Sequence, residues 1–178
     1  MGDTRLMGAA SAVEDIEAED IAALIEDMRE TLDDIQATGL AAPQIAVDKR
    51  VVLYSVPSGR IPAGSAQDPV PWTVMINPVI TPLTGEKEPI WERCLSLPGL
   101  YGKVPRFTRI QADYTTLDGQ AVKFEAKGFH AMLVQHECDH LDGVLYPMRM
   151  EDLSGFGFVE EITGGGAIYP YSPGEFDG

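Results

Sequence analysis

The stretch QHECDHLDG, residues 135–143, places two histidines four residues apart with a glutamate directly after the first. An α-helix turns about 100° per residue, so His136 and His140 lie about 40° apart and both imidazoles can reach one ion beside the helix. Glu137 stands close enough to touch a water on that ion. Cys138 falls on the opposite face, where a small buried hydrophobe is the expected role. HExxH spacing is shared by zinc peptidases and by other metal hydrolases, so the helix alone leaves the reaction open.

The third ligand separates these readings, because a catalytic site of this kind needs three protein ligands and one open position. After His140 there is no histidine and no HExxHxxGxxH extension; a second glutamate-bearing helix is not expected, because glycine and proline dominate from residue 163. The remaining candidate lies upstream in WERCLSLPG (91–99). In an extended segment Glu92 and Cys94 share one face and Arg93 points the other way. Cys94 is then either a core cysteine or, combined with the HExxH helix, the ligand that completes a Cys-His-His site. His130, the third histidine, lies outside the cluster and reads as a structural or surface residue.

The rest of the chain sets the frame. Its 178 residues suit one domain with a sizeable core. Residues 20–36 space Ile21, Leu24, Ile25, Met28, Leu32 and Ile35 as one helical stripe, with Gly39 at the expected stop. RVVLYSV (50–56) and WTVMINPVI (72–80) read as strands. FTRIQADYTTL and QAVKFEAKG flank Asp118-Gly119 as a hairpin. GFHAMLVQHECDHLDG (128–143) reads as a helix closed by Gly143. The expected fold class is α+β: antiparallel sheets packed around a central HExxH helix plus an N-terminal helix. Residues 1–163 form the domain, and 164–178 a Gly/Pro-rich tail.

A net charge of −15 disfavours direct contact with nucleic acid and reads as a solubility device. No apolar run is long enough to span a membrane, and the opening residues lack a secretory signal. Two cysteines without such a signal suit a reducing compartment, so a cytoplasmic location is expected.

With these residues in place, the chain resembles a peptide deformylase. GLAAPQ (39–44), ERCLS (92–96) and QHECDHLDG (135–143) match three ordered motifs of that family, and the resemblance extends to about residue 160. It implies Cys94, His136 and His140 as metal ligands and Glu137 as general acid/base. It also implies Gln44 and the Leu95 backbone N–H as oxyanion donors, with Gly39 opening the first catalytic motif. Ile90, Phe129, Met132 and Leu133 would form the methionine pocket; core packing is an equal reading for Leu133. The cofactor implied is one divalent ion, Fe(II) by family habit, although the donor set also suits zinc, nickel or cobalt. The partners implied are N-formylmethionyl nascent peptides, with transient ribosome association. Three departures stand out. Ala37 and Arg93 replace common glycines, and Tyr101 replaces a common arginine. An arginine at 93 would be strained if that position required positive φ.

Overall fold

The computed structural model describes residues 2–17, 19–61 and 67–164. Two antiparallel sheets enclose one helix. The larger has the order β1 (Gly39–Ala41), β2 (Val51–Val56), β3 (Val70–Pro82), β6 (Arg109–Thr115), β7 (Ala121–Lys127). The smaller joins β4 (Lys87–Glu92), β5 (Leu100–Phe107) and β8 (Phe156–Phe158). Helix α1 spans Glu19–Ile35, α2 Gly128–Leu141 and the short α3 Val159–Thr163. α3 carries Glu160 and Glu161 and so corrects the expectation of no glutamate-bearing helix after His140, but neither joins the Cys94, His136 and His140 cluster.

Every residue of β2 is buried because both of its faces are covered, which is why its sequence is a continuous apolar run rather than an alternation. Val52, Tyr54 and Val56 pack toward α2 with Met75, Ile110 and Ala112. Val51 and Leu53 pack toward α1, against Ile21, Leu24, Met28 and Leu32. Burying each of those α1 side chains stabilises the fold by about 1.5–3 kcal/mol. The central helix α2 buries all of its residues but His130, as expected for a helix enclosed by sheets on both sides. Gln135, His136, Glu137, Asp139 and His140 are therefore all inside.

The end of α2 is fixed by a left-handed turn. Gly143 has φ +70°, its N–H reaches the His140 carbonyl, and the Val144 N–H reaches that of Asp139, the paired bonds of a Schellman cap. A Cβ on Gly143 would also lie 2.7 Å from the Met7 backbone. The N-terminal arm crosses there, held by Ala10 N–H on the Leu141 carbonyl at 2.7 Å.

The expected stop at Gly39 is corrected. Helix α1 ends earlier, where Gln36 takes the left-handed position (φ 53°) and Ala37 N–H caps the Leu32 carbonyl. Gly39 instead begins β1, paired with Tyr54. Asp118-Gly119 does close the β6–β7 hairpin. Gly119 takes φ +78° and donates to Thr116, giving a type I turn with a left-handed glycine. The strands of the smaller sheet were not foreseen beyond the extended 91–99 segment. Pro89 and Pro105 argue against strands, yet they face each other in the β4–β5 register. Opposed in a non-hydrogen-bonded pair, neither proline needs an N–H across the ladder. Most of the expected 164–178 tail lies outside the described residues.

Candidate metal and catalytic site

The site forms where α2, the end of β4 and the turn after β1 meet. Cys94, His136 and His140 are all buried, and one ligand atom from each lies within 4.8 Å of the others. Cys94 Sγ is 3.2 Å from His140 Nε2. Four-coordinate zinc-type geometry separates sulfur and nitrogen ligands by roughly 3.5 Å, so the spacing fits a single ion. His136 Nδ1 lies 2.6 Å from Glu92 Oε2, which leaves Nε2 as its available ligand atom. The expected burial alternation holds: Glu92 and Cys94 are buried and Arg93 is exposed. Arg93 is not at positive φ, so the strain it would carry in a glycine's place does not arise.

Behind the three donors lies a charged network that the sequence motifs did not reveal. Arg106 donates to both Glu92 oxygens, at 2.6 and 3.0 Å, and to Asp139 at 2.6 Å. Arg149 holds Asp139 from the other side at 2.7 Å. Burial alone would raise the Glu92 carboxyl; Arg106 and the His136 ring outweigh it and hold it at about 2. The ionised Glu92 then fixes the His136 ring through Nδ1, the second-layer arrangement that orients metal-binding imidazoles. Arg106 sits on β5, which was not predicted as a strand. Glu92 was legible only as sharing the Cys94 face.

Glu137 is set apart from this network. Its Oε2 is buried without a hydrogen-bond partner among the described residues, and burial is the main cause raising its pKa to about 7. Gly39 packs directly against it: a Cβ there would lie 2.8 Å from Glu137 Cδ. Burial, followed by the neighbouring His136 charge, lowers His140 to about 3, so this ring is neutral at physiological pH. The Gln44 amide is oriented by Ala41 N–H, which donates to Oε1 at 2.8 Å. Its NH2 therefore faces Cys94 Sγ at 3.6 Å and Ser96 Oγ at 3.3 Å. Leu95 follows Cys94 with an exposed side chain.

The structure thus places Gly39, Gln44, Cys94, His136, Glu137 and His140 side by side, with Leu95 next to Cys94 in the chain. Residues 1–155 match the sequence model of the polypeptide deformylase family. The chain belongs to that family. Among similar deformylases, peptide deformylase 2 of Ralstonia nicotianae is 51% identical over 163 residues, covering 90% of this chain and 89% of that protein. Peptide deformylase 1 of Nitrosomonas europaea is 45% identical, covering 94% of each. The peptide deformylase of Ehrlichia chaffeensis superposes with a TM-score of 0.76 at 32% identity, over 86% of this chain and 87% of that one. Deformylases are metal-dependent hydrolases that remove the formyl group from newly made polypeptides, and this chain is an enzyme of that class.

The remaining expected residues fall as follows in the deformylase fold. Phe129, Met132 and Leu133 of α2 are buried in one cluster with the larger sheet, and Ile90 joins it from β4 of the smaller sheet. Cys138 joins the same cluster and is not among the Cys94, His136 and His140 donors. His130 stacks on Phe124 and lies 2.9 Å from the Tyr54 hydroxyl, a structural role. Ala37 packs on the α1 side. Tyr101 is buried edge-on to Trp91 instead of reaching toward solvent.

Proposed function

We propose that Cys94, His136 and His140 hold the catalytic ion, that Glu137 moves the proton, and that Gln44 and the Leu95 N–H receive the developing oxyanion. The observation that carries this reading is convergence. A buried, unpartnered carboxyl and an oriented amide both meet the three-donor cluster. A divalent ion at these donors would acidify water and polarise the formyl carbonyl.

Glu137, with its pKa near neutrality, accepts a proton from the attacking water and returns it to the departing amine. The Gln44 NH2 and Leu95 N–H stabilise negative charge on the former carbonyl oxygen, each donor contributing about 3–4 kcal/mol in comparable sites. The products are formate and a free amino terminus. Ile90, Phe129, Met132 and Leu133 line the methionine pocket, with α2 supplying three of them along one side. β1 and β4 are edge strands of different sheets, and both reach the site, through Gly39 at Glu137 and Glu92 at His136. An extended peptide can pair along such edges. A deformylase of Acinetobacter baumannii, 31% identical with a TM-score of 0.74, has been solved with Met-Ala-Ser bound, which supports a methionine-first peptide as the substrate.

Fe(II) is the proposed native ion, nascent N-formylmethionyl chains are the substrate, and the working location is the cytoplasm with transient ribosome contact. Residues 1–163 act as one catalytic domain. The test is formate release from formyl-Met peptides by anaerobically prepared protein, with metal content measured on the same sample. Absence of release with iron, nickel and zinc each restored would overturn the reading.

Two variants sharpen it. Cys94→Ala removes one of three ligands, so metal affinity falls by more than about a hundredfold, beyond the 10–100-fold typical of losing a supporting residue. Retained affinity would point to a different third ligand and a peptidase-type site. Gly39→Ala forces the Glu137 carboxyl aside, and kcat falls about 100-fold. Bound metal stays the same, because the atoms nearest a Cβ at Gly39 all belong to Glu137. Steady-state kinetics beside metal analysis separates the two effects.

A further inference from the structure

We infer that Arg93 is a specificity-determining residue that favours formyl-Met substrates with an acidic second residue. The inference rests on the deformylase reading above and deepens it. Among the described arginine side chains, Arg5, Arg50, Arg106, Arg109 and Arg149 each hold a carboxylate, and Arg29 lies over the Trp72 ring. Arg93 alone has neither kind of partner among the described residues, and it is exposed.

Its position gives that unengaged cation a direction. It follows the last residue of the edge strand β4 and immediately precedes Cys94. Glu92 and Cys94 turn inward, so Arg93 turns outward on the same short segment. A substrate whose formyl group lies at the Cys94 cluster, and whose methionine points inward toward Met132 and Leu133, sends its second side chain outward, because side chains of an extended chain alternate. That places the second residue on the Arg93 side of the segment. The guanidinium offers a planar fork suited to a carboxylate.

The surrounding charge makes this cation matter more. The chain carries 28 acids against 13 bases, and such a surface repels acidic peptides on approach. A local cation at the site mouth offsets that repulsion only for a carboxylate brought close to it. The attraction is exposed and therefore modest, and it weakens as salt screens it.

The test uses formyl-Met-X-Ser amides with X as Glu, Ala or Lys, the amide removing the terminal carboxylate as a second source of charge. At low salt, kcat/KM for the Glu peptide exceeds that for the Lys peptide by about three- to fivefold, the range of an exposed ion pair. Arg93→Gln lowers the Glu:Lys ratio to unity or below, because the acidic surface then acts alone, and Arg93→Glu lowers it further, while both variants turn over the Ala peptide as the parent does. The preference shrinks at high salt. A Glu:Lys ratio that is the same in the parent, Arg93→Gln and Arg93→Glu overturns the assignment. Failure of the parent on the Ala peptide would instead overturn the deformylase reading itself.

Discussion

Glu137→Gln is expected to lower kcat by about 10²–10⁴, the usual contribution of a positioned acid/base group, with bound metal essentially unchanged. Gln and Glu share a shape, and Glu137 is not one of the three clustered donors, so the coordination is left alone. What disappears is the ability to accept a proton and give it back. The pH profile carries the same signature. Proton acceptance needs the carboxylate, and burial raises this carboxyl to about 7, so kcat/KM falls on the acid side of a limb at or below that value. A bound cation moves the limb downward, since a positive neighbour favours the charged form. Glu137→Gln abolishes that limb. It also removes a cost to the fold. A carboxyl whose folded pKa is raised stabilises least above that pKa, where the unfolded chain ionises freely. At pH 8 the metal-free variant therefore melts above the metal-free parent. Full activity in the variant would sink the mechanism, and a lower melting temperature would place Glu137 among the structural residues.

The parts of this site legible in the sequence are those governed by short-range geometry. His136 and His140 sit on one helix face because 3.6-residue periodicity requires it, and Glu92 and Cys94 share a side because extended chain alternates. β2 was readable because burial on both faces leaves an unbroken apolar run. What stayed hidden depends on pairing across long separations. Arg106 lies 14 residues from Glu92 and 33 from Asp139, and its strand carries Pro105 and Gly102, poor local strand formers. Only the β4–β5 register brings Glu88 opposite Arg106, and so places the guanidinium on the inward face beside Glu92. Gly39 was visible as part of a motif but not in its physical role. Its lack of a side chain makes room for a carboxylate 98 positions away in the chain, and no local pattern encodes that contact. The misplaced helix stop has the same origin: a glycine in the right neighbourhood was needed for close approach, while Gln36 served as the left-handed cap.

The charged network behind the three donors leads to a second large effect. Arg106→Met is expected to destabilise the protein by about 3–5 kcal/mol at neutral pH, because it strands buried carboxylates without removing them. Glu92 loses both guanidinium bonds, and Asp139 keeps only Arg149. The pH dependence tells this apart from a packing defect. In the parent, Glu92 is held at about 2, below its unfolded value. Its contribution is complete above the unfolded pKa and is lost as pH falls toward 2. In the variant, burial acts on Glu92 with less opposition and its pKa rises, so protonation relieves the stranded charge already in mildly acidic solution. The penalty of Arg106→Met is therefore largest near pH 7 and smaller at pH 4, measured by urea unfolding of metal-free protein at both values. An equal penalty at the two pH values would mean that Arg106 acts through its volume. The same substitution loosens the anchor of His136 Nδ1, and metal affinity drops by about 10–100-fold, although none of the three clustered donors has been touched. Loss of affinity together with a penalty that shrinks in acid would mark Arg106 as the positioning residue that couples the stability of this fold to the geometry of its ligands.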